Sequence, residues 1–151
     1  IRHYADIQQL RFGSRIQFEF SCEKACENAL IPAIILQPLV ENAIAHGFCQ
    51  KEDTGHILIA AGAEEDDLLV RVEDDGIGGD LEYIHGVLDG REETRTNEQF
   101  SGIGIRNVQK RLQIIYGEEY GISAEHTPGG GMCFAIRIPC RKEKEKEPCG
   151  S

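Results

Sequence analysis

The sequence predicts an α+β fold: a two-layer sandwich in which a mixed, mostly antiparallel sheet is covered on one face by helices. Two observations carry this. Short alternating or β-rich runs recur at 15–20, 56–64, 68–74, 121–127 and 132–140, and two pairs of them are joined by the short turn sequences EEDD and PGGG. Connections that short allow only antiparallel neighbours. Stretches with helical character fall between the strands, which places helices against the sheet in one domain.

Each element has its own signal. Residues 1–11, IRHYADIQQLR, read as a helical leader that Gly13 and Ser14 break. RIQFEF alternates and predicts a strand over 15–20. Residues 31–48 are strongly apolar, with Pro32 in a helix-opening position and Gly47 at the end. They predict one helix with a kink at Pro38. HILIAAGAE and LLVRVED predict two strands about the acidic turn. Residues 80–90 predict a short helix, and 91–102 are polar without periodicity and predict a loop. Residues 105–117 predict an amphipathic helix, with Val108, Leu112 and Ile115 on one face and Gly117 as the stop. GISAEHT and MCFAIRIPC predict the closing hairpin, and 141–151 a charged, solvated tail.

At 151 residues the chain fits one domain. Its expected organisation is a leader over 1–11, one folded unit over 12–140 and the tail over 141–151. A net charge of −10 disfavours nucleic acid as a partner, since Lys and Arg must neutralise phosphates there. No apolar run reaches the roughly 18 residues that a spanning helix needs. The six cysteines form no CxxC pair or Cys/His cluster, which predicts free thiols in a reducing cytoplasm. The first residue is Ile1 and the one methionine is Met132. A fragment of a longer protein is therefore expected, with any membrane or sensory part outside it.

Three clusters hold candidate chemistry. In QPLVENAIAHG, Glu41 and Asn42 interrupt an apolar helix, and Asn42 and His46 stand four residues apart on one expected face. The plain alternative is a core hydrogen bond or a solvent-edge stripe; the functional one is an oxygen ligand for Mg²⁺. In VEDDGIGG, a strand ends in Asp74 and Asp75 followed by Gly76, Gly78 and Gly79. A simple turn is common for such a sequence. The alternative is a carboxylate held at the strand end as acceptor for an exocyclic amine such as that of adenine. Guanine would oppose it with an acceptor oxygen. In SGIGIRNVQKR, Gly102 and Gly104 open a helix whose N–H groups and positive dipole end suit phosphates. Each cluster alone is weak evidence.

Their order is not. LVENAIAHG, VEDDGIGG, SGIGIRNVQKRL and TPGGGMCFAIRIP together resemble the N, G1, G2 and terminal glycine motifs of the GHKL superfamily with its Bergerat ATP-binding fold. LRFGSRIQFEF and GIGIRNVQKRLQIIYGEEYGI are most similar to the catalytic domain of LytS-like bacterial sensor histidine kinases. The resemblance implies Asn42 as the Mg²⁺ ligand and Asp74 as the adenine acceptor in the DxGxG pattern with Gly76 and Gly78. It implies Gly102 and Gly104 at the phosphates, and Glu41 and His46 near phosphate and metal. It makes 91–101 an ATP lid and Asp75 a variable, solvated position. Asn107 and Arg111 remain open, facing the nucleotide or the leader helix.

The sequence departs from the family at three points. Ala45 stands where histidine kinases commonly carry Lys, with His46 as a substitute. Met132 stands where the terminal glycine motif continues with Thr or Ser. Pro38 stands where hydrolytic relatives place the glutamate that activates water, so unassisted ATP hydrolysis is expected to be slow.

The function implied is binding of Mg²⁺–ATP and transfer of the γ-phosphoryl group to a histidine outside this fragment. The implied partners are the dimerisation and phosphoacceptor helices of the same protein and a response regulator, in a membrane-anchored homodimer with this domain in the cytoplasm. His3, a linker residue, is not the expected acceptor. The alternatives are a serine kinase of the anti-sigma-factor type and a degenerate nucleotide-binding module that serves only for interaction.

Overall fold

A computed structural model describes residues 1–48, 53–93 and 102–141. The elements in chain order are α1 (Arg2–Phe12), β1 (Ile16–Cys22), α2 (Gln37–Asn42), β2 (Gly55–Glu64), β3 (Asp67–Asp74), α3 (Leu81–Leu88), α4 (Ile103–Tyr116), β4 (Gly121–His126) and β5 (Met132–Pro139). The strands form one sheet in the order β1-β2-β3-β5-β4. β1 runs parallel to β2 and all other neighbours are antiparallel, so the sheet is mixed, as expected.

Strand alternation sorts the two faces of the sheet. Leu68, Val70 and Val72 of β3 point into the core with Ile57 and Ile59 of β2 and Phe134, Ile136 and Ile138 of β5. Leu39 and Val40 of α2, Ile84 and Leu88 of α3, and Ile105, Val108 and Leu112 of α4 close over them. The opposite face carries exposed Arg71, Ser123, Glu125 and Arg137. There Arg137 Nε donates to Asp67 Oδ2 at 2.6 Å, joining β5 to the start of β3. α1 lies at the β1 edge, with Ala5 buried and Ile7 and Leu10 exposed.

Two expectations need correction. The apolar stretch 31–48 is not one kinked helix. Residues 31–36 are non-helical and Ile34 takes φ 66°, while α2 begins at Gln37 with Pro38 in its first turn. Proline is tolerated there because the first-turn N–H groups have no partner within the helix. So Pro38 opens the helix rather than bending it. In α4 the buried face is Ile105, Val108 and Leu112, whereas Ile115 is 43% exposed. That helix starts two residues earlier than its apolar pattern indicated, at Ile103, with Gly102 in the left-handed conformation at its N-cap.

Candidate nucleotide site

Asp74 is the last residue of the central strand β3 and is 5% exposed. Its position in the β3 alternation turns the carboxylate toward the helix layer. Two backbone donors orient it: Gly76 N–H reaches Oδ1 at 2.9 Å and Met132 N–H reaches the same oxygen at 3.3 Å. These two bonds from different segments fix the plane of the carboxylate.

The segment 76–79 is held against the β4–β5 hairpin. Gly78 has φ 77°, and a Cβ there would meet the Gly130 carbonyl oxygen at 2.5 Å. A Cβ on Gly79 would lie 3.3 Å from Ile84 Cδ1 and 3.8 Å from Met132 Sδ. Met132, which departs from the expected hydroxyl residue, therefore contributes through its backbone N–H and a buried side chain beneath the glycines. Thr127 donates its hydroxyl to the Asp74 carbonyl at 3.4 Å. Thr127, Gly131 and Met132 lie in the terminal glycine motif, but the sequence gives them no individual contact with Asp74: Gly131 acts by close approach, Met132 by its backbone N–H and Thr127 by a hydroxyl bond to a residue 53 positions away. PGGG was the available signal, and it reads first as a turn.

Asp75 is not simply solvated. Its Oδ1 accepts from His56 N–H at 2.8 Å, and its own N–H donates to the His56 carbonyl at 3.3 Å. It ties the end of β3 to β2, and Asp74 is left to face the helices.

Asn42, half-buried, ends α2, after which the backbone continues as a π-helical turn over Ala43–Gly47. That turn packs beside β3 and so near the strand that ends in Asp74. Its i→i+5 hydrogen bonding means the four-residue spacing to His46 is no longer the repeat of one α-helical face. The His46 side chain lies outside the described part of the structure. Such turns cluster at functional sites.

Glu41 turns away from this site toward the leader. Its Oε1 accepts from Gln37 Nε2 at 2.8 Å and from the Tyr4 hydroxyl at 3.4 Å. Burial, then the Glu41 carboxylate beside it, raises the Tyr4 pKa. Glu41 and Ala45 border a cavity of about 650 Å³ whose opposite wall is Tyr4, Gln8, Arg11 and Phe12 of α1.

α4 brings the third cluster. Gly102 at its N-cap has φ 71° and, lacking a side chain, offers no side-chain cap to the first N–H groups. Those groups and the dipole are then available to an anion. A Cβ on Gly104 would meet Pro38 Cβ at 3.2 Å, so this glycine lets the starts of α4 and α2 approach. Of the two undecided residues, Asn107 is exposed, and Arg111 Nη1 donates to the Ala33 carbonyl at 2.9 Å. Arg111 holds the segment before α2, which neither expectation named. Residues 94–101, most of the expected lid, and 142–151 of the tail lie outside the described residues.

A mixed sheet under one helix layer, with an oriented strand-end aspartate, an asparagine-bearing helix and a glycine-capped helix packed on it, defines a GHKL-type nucleotide-binding domain. The sequence profile of the histidine kinase-, DNA gyrase B-, and HSP90-like ATPase family matches residues 28–142, and the chain belongs to that family. It is 34% identical over 143 residues to the sensor histidine kinase BtsS of Escherichia coli K12, covering 95% of this chain and 23% of BtsS. It is equally 34% identical over 143 residues to the sensor histidine kinase YesM of Bacillus subtilis, with the same coverage of 95% and 23%. With the sensor protein LytS of Enterococcus faecalis it shares 30% over 144 residues, 95% of this chain and 24% of LytS. The chain thus spans about a quarter of the length of the curated relatives it matches. In structure it superposes on the catalytic domain of the histidine kinase ThkA with a TM-score of 0.70 at 21% identity, over 92% of this chain and 89% of that one. This is the expected fold, and the relatives are of the histidine kinase kind; the anti-sigma-type alternative is not favoured.

Proposed function

We propose that this chain is the ATP-binding catalytic domain of a sensor histidine kinase, which binds Mg²⁺–ATP and passes the γ-phosphoryl group to a histidine outside it. The nucleotide-binding unit is residues 12–140, with 1–11 the end of a helix from a dimerisation region and 141–151 a charged tail. The observation that carries the reading is Asp74: a nearly buried carboxylate, set by two backbone N–H groups, at the mouth of three glycines. A carboxylate accepts from the adenine amine and repels the guanine oxygen.

The metal fits the residues present. Among the described residues no group of three or more His, Cys, Asp or Glu forms a cage. Mg²⁺ does not require such a cage, since it keeps waters and takes one or two protein oxygens with the phosphates. Asn42 is the residue that would supply the protein oxygen. When bound, the ion neutralises charge on the phosphates. The α4 N-terminus receives the phosphate chain, and Gly102 and Gly104 allow its close approach. His46 belongs to the same helical segment as Asn42, and we assign it a role beside the transferred phosphate; Glu41, expected there too, is held by Gln37 and Tyr4 on the leader side and is assigned no such role. Pro38 supplies no base for water, which favours transfer over hydrolysis.

The full protein is proposed as a membrane-anchored homodimer that phosphorylates a response regulator. Isothermal calorimetry with ATP and Mg²⁺ tests the core of this. Wild type gives heat, and Asp74→Asn lowers ATP affinity about 10- to 100-fold, the worth of a charge-assisted bond. No heat from wild type refutes the reading. In the full-length protein the transferred phosphate should be acid-labile, as histidine phosphate is; an acid-stable product would refute histidine transfer.

A further inference from the structure

We propose that His126 is a positioning residue for nucleotide selectivity: it straps the glycine segment 76–79 to the β4–β5 hairpin and so fixes the angle at which Asp74 meets the base. This rests on the adenine-binding reading of Asp74. His126 is the last residue of β4, and its Nε2 lies 2.8 Å from the Gly79 carbonyl oxygen. A carbonyl only accepts, so Nε2 carries the proton and the ring is the donor.

The strap acts on both ends of the segment. Across the hairpin His126 pairs with Met132, whose N–H sets Asp74 Oδ1. The adjacent Thr127 donates its N–H to the Gly131 carbonyl at 2.9 Å and its hydroxyl to the Asp74 carbonyl. On the other side, the imidazole edge would lie 3.5 Å from a Cβ on Gly78, within van der Waals contact of that glycine's position. One two-residue unit, His126-Thr127, thereby grips residues 74 and 79 at once. Gly78, with φ 77° and no side chain, lies between these grips. Glycine has the widest conformational freedom of any residue, so the geometry between the grips depends on both holding.

The test compares wild type, His126→Ala and His126→Gln in this chain, because the glutamine amide can donate from nearly the position of Nε2. Without nucleotide, amide exchange at Gly76, Ile77 and Gly78 is expected to speed up about three- to tenfold in the alanine variant, the effect of one lost hydrogen bond, and to return toward wild type in the glutamine variant. With nucleotide, the alanine variant is expected to lose ATP affinity by a similar factor and to lower the ATP-over-GTP preference, again restored by glutamine. A purely structural role would change the melting temperature without changing that preference. Unchanged exchange in His126→Ala, or a glutamine variant no better than alanine, overturns the strap. If wild type binds no adenine nucleotide while the exchange differences appear, the nucleotide reading falls with the proposed selectivity role, and the strap alone stands.

Discussion

A Cβ placed on Gly131 would lie 2.0 Å from the Asp74 carbonyl oxygen and 2.8 Å from the Gly76 nitrogen. No real side chain sits so close to backbone, and the neighbours here are backbone atoms that cannot rotate aside. Gly131→Ala must push the β4–β5 hairpin away from the end of β3. It is expected to cost about 1–3 kcal/mol of stability, as overpacking does. Nucleotide affinity should fall as well, because Met132 N–H then withdraws from Asp74. Denaturant unfolding and calorimetry on the same sample check both, and wild-type values for the variant would refute the close contact.

Asn42→Ala separates the metal from the base. Asn42 ends α2 and is half-buried, and alanine is the better helix former, so the fold should survive. ATP affinity without Mg²⁺ is expected to match wild type, while the gain on adding Mg²⁺ disappears. Titrations with and without the ion decide this; a preserved gain would move the metal to other oxygens.

Ile34 carries φ 66° with a side chain 69% exposed. A β-branched residue in the left-handed region costs about 1–2 kcal/mol, and glycine removes that at an entropic cost of about 0.5–1 kcal/mol. Ile34→Gly is therefore expected to leave the protein equally stable or more stable by up to about 1.5 kcal/mol, although it deletes a large apolar residue. A loss of more than that in thermal unfolding would show that Ile34 packs in a way its exposure denies.

Cys133 on β5 is nearly buried on the sheet face away from the helices, between its neighbours Glu73 and Glu125. Burial, then these two carboxylates, pushes its thiol from 9.0 up to about 11. At pH 8 only about one thiol in a thousand is then ionised, so alkylation of Cys133 should lag far behind that of exposed Cys22. The unfolded chain releases this proton near 9.0 and the folded one near 11, so the native state holds more protons between them. The contribution of this thiol to stability is complete below pH 9.0 and is lost as pH rises through about 11. Peptide mapping after timed alkylation reads the first effect and pH-dependent unfolding the second.

What was legible in the sequence followed from local rules. The hairpins about EEDD and PGGG and the stop at Gly117 need no distant partner to be read. Asp74 and Asp75 are chemically alike, and family spacing separated them. The reason for the difference, that Asp75 caps His56 N–H across the sheet, needs the register of β2 and β3. The start of α2 was misread because six apolar residues precede it without glycine. The left-handed Ile34 has no mark in its residue type, and the Arg111–Ala33 bond that secures the segment joins residues 78 positions apart. The irregular turn after Asn42 has no local mark, and Met132 contributes a backbone group, for which residue type is silent.

Asp74 belongs to the middle strand, with β2 on one side and β5 on the other. Strands so enclosed open last in a folded domain, whereas helix termini fray first. The carboxylate proposed to choose the base thus stands on an enclosed strand, and the groups proposed for the phosphates stand at the end of α2 and the start of α4. A domain arranged in this way can keep its choice of nucleotide constant while the reacting end is rearranged between resting and transferring states.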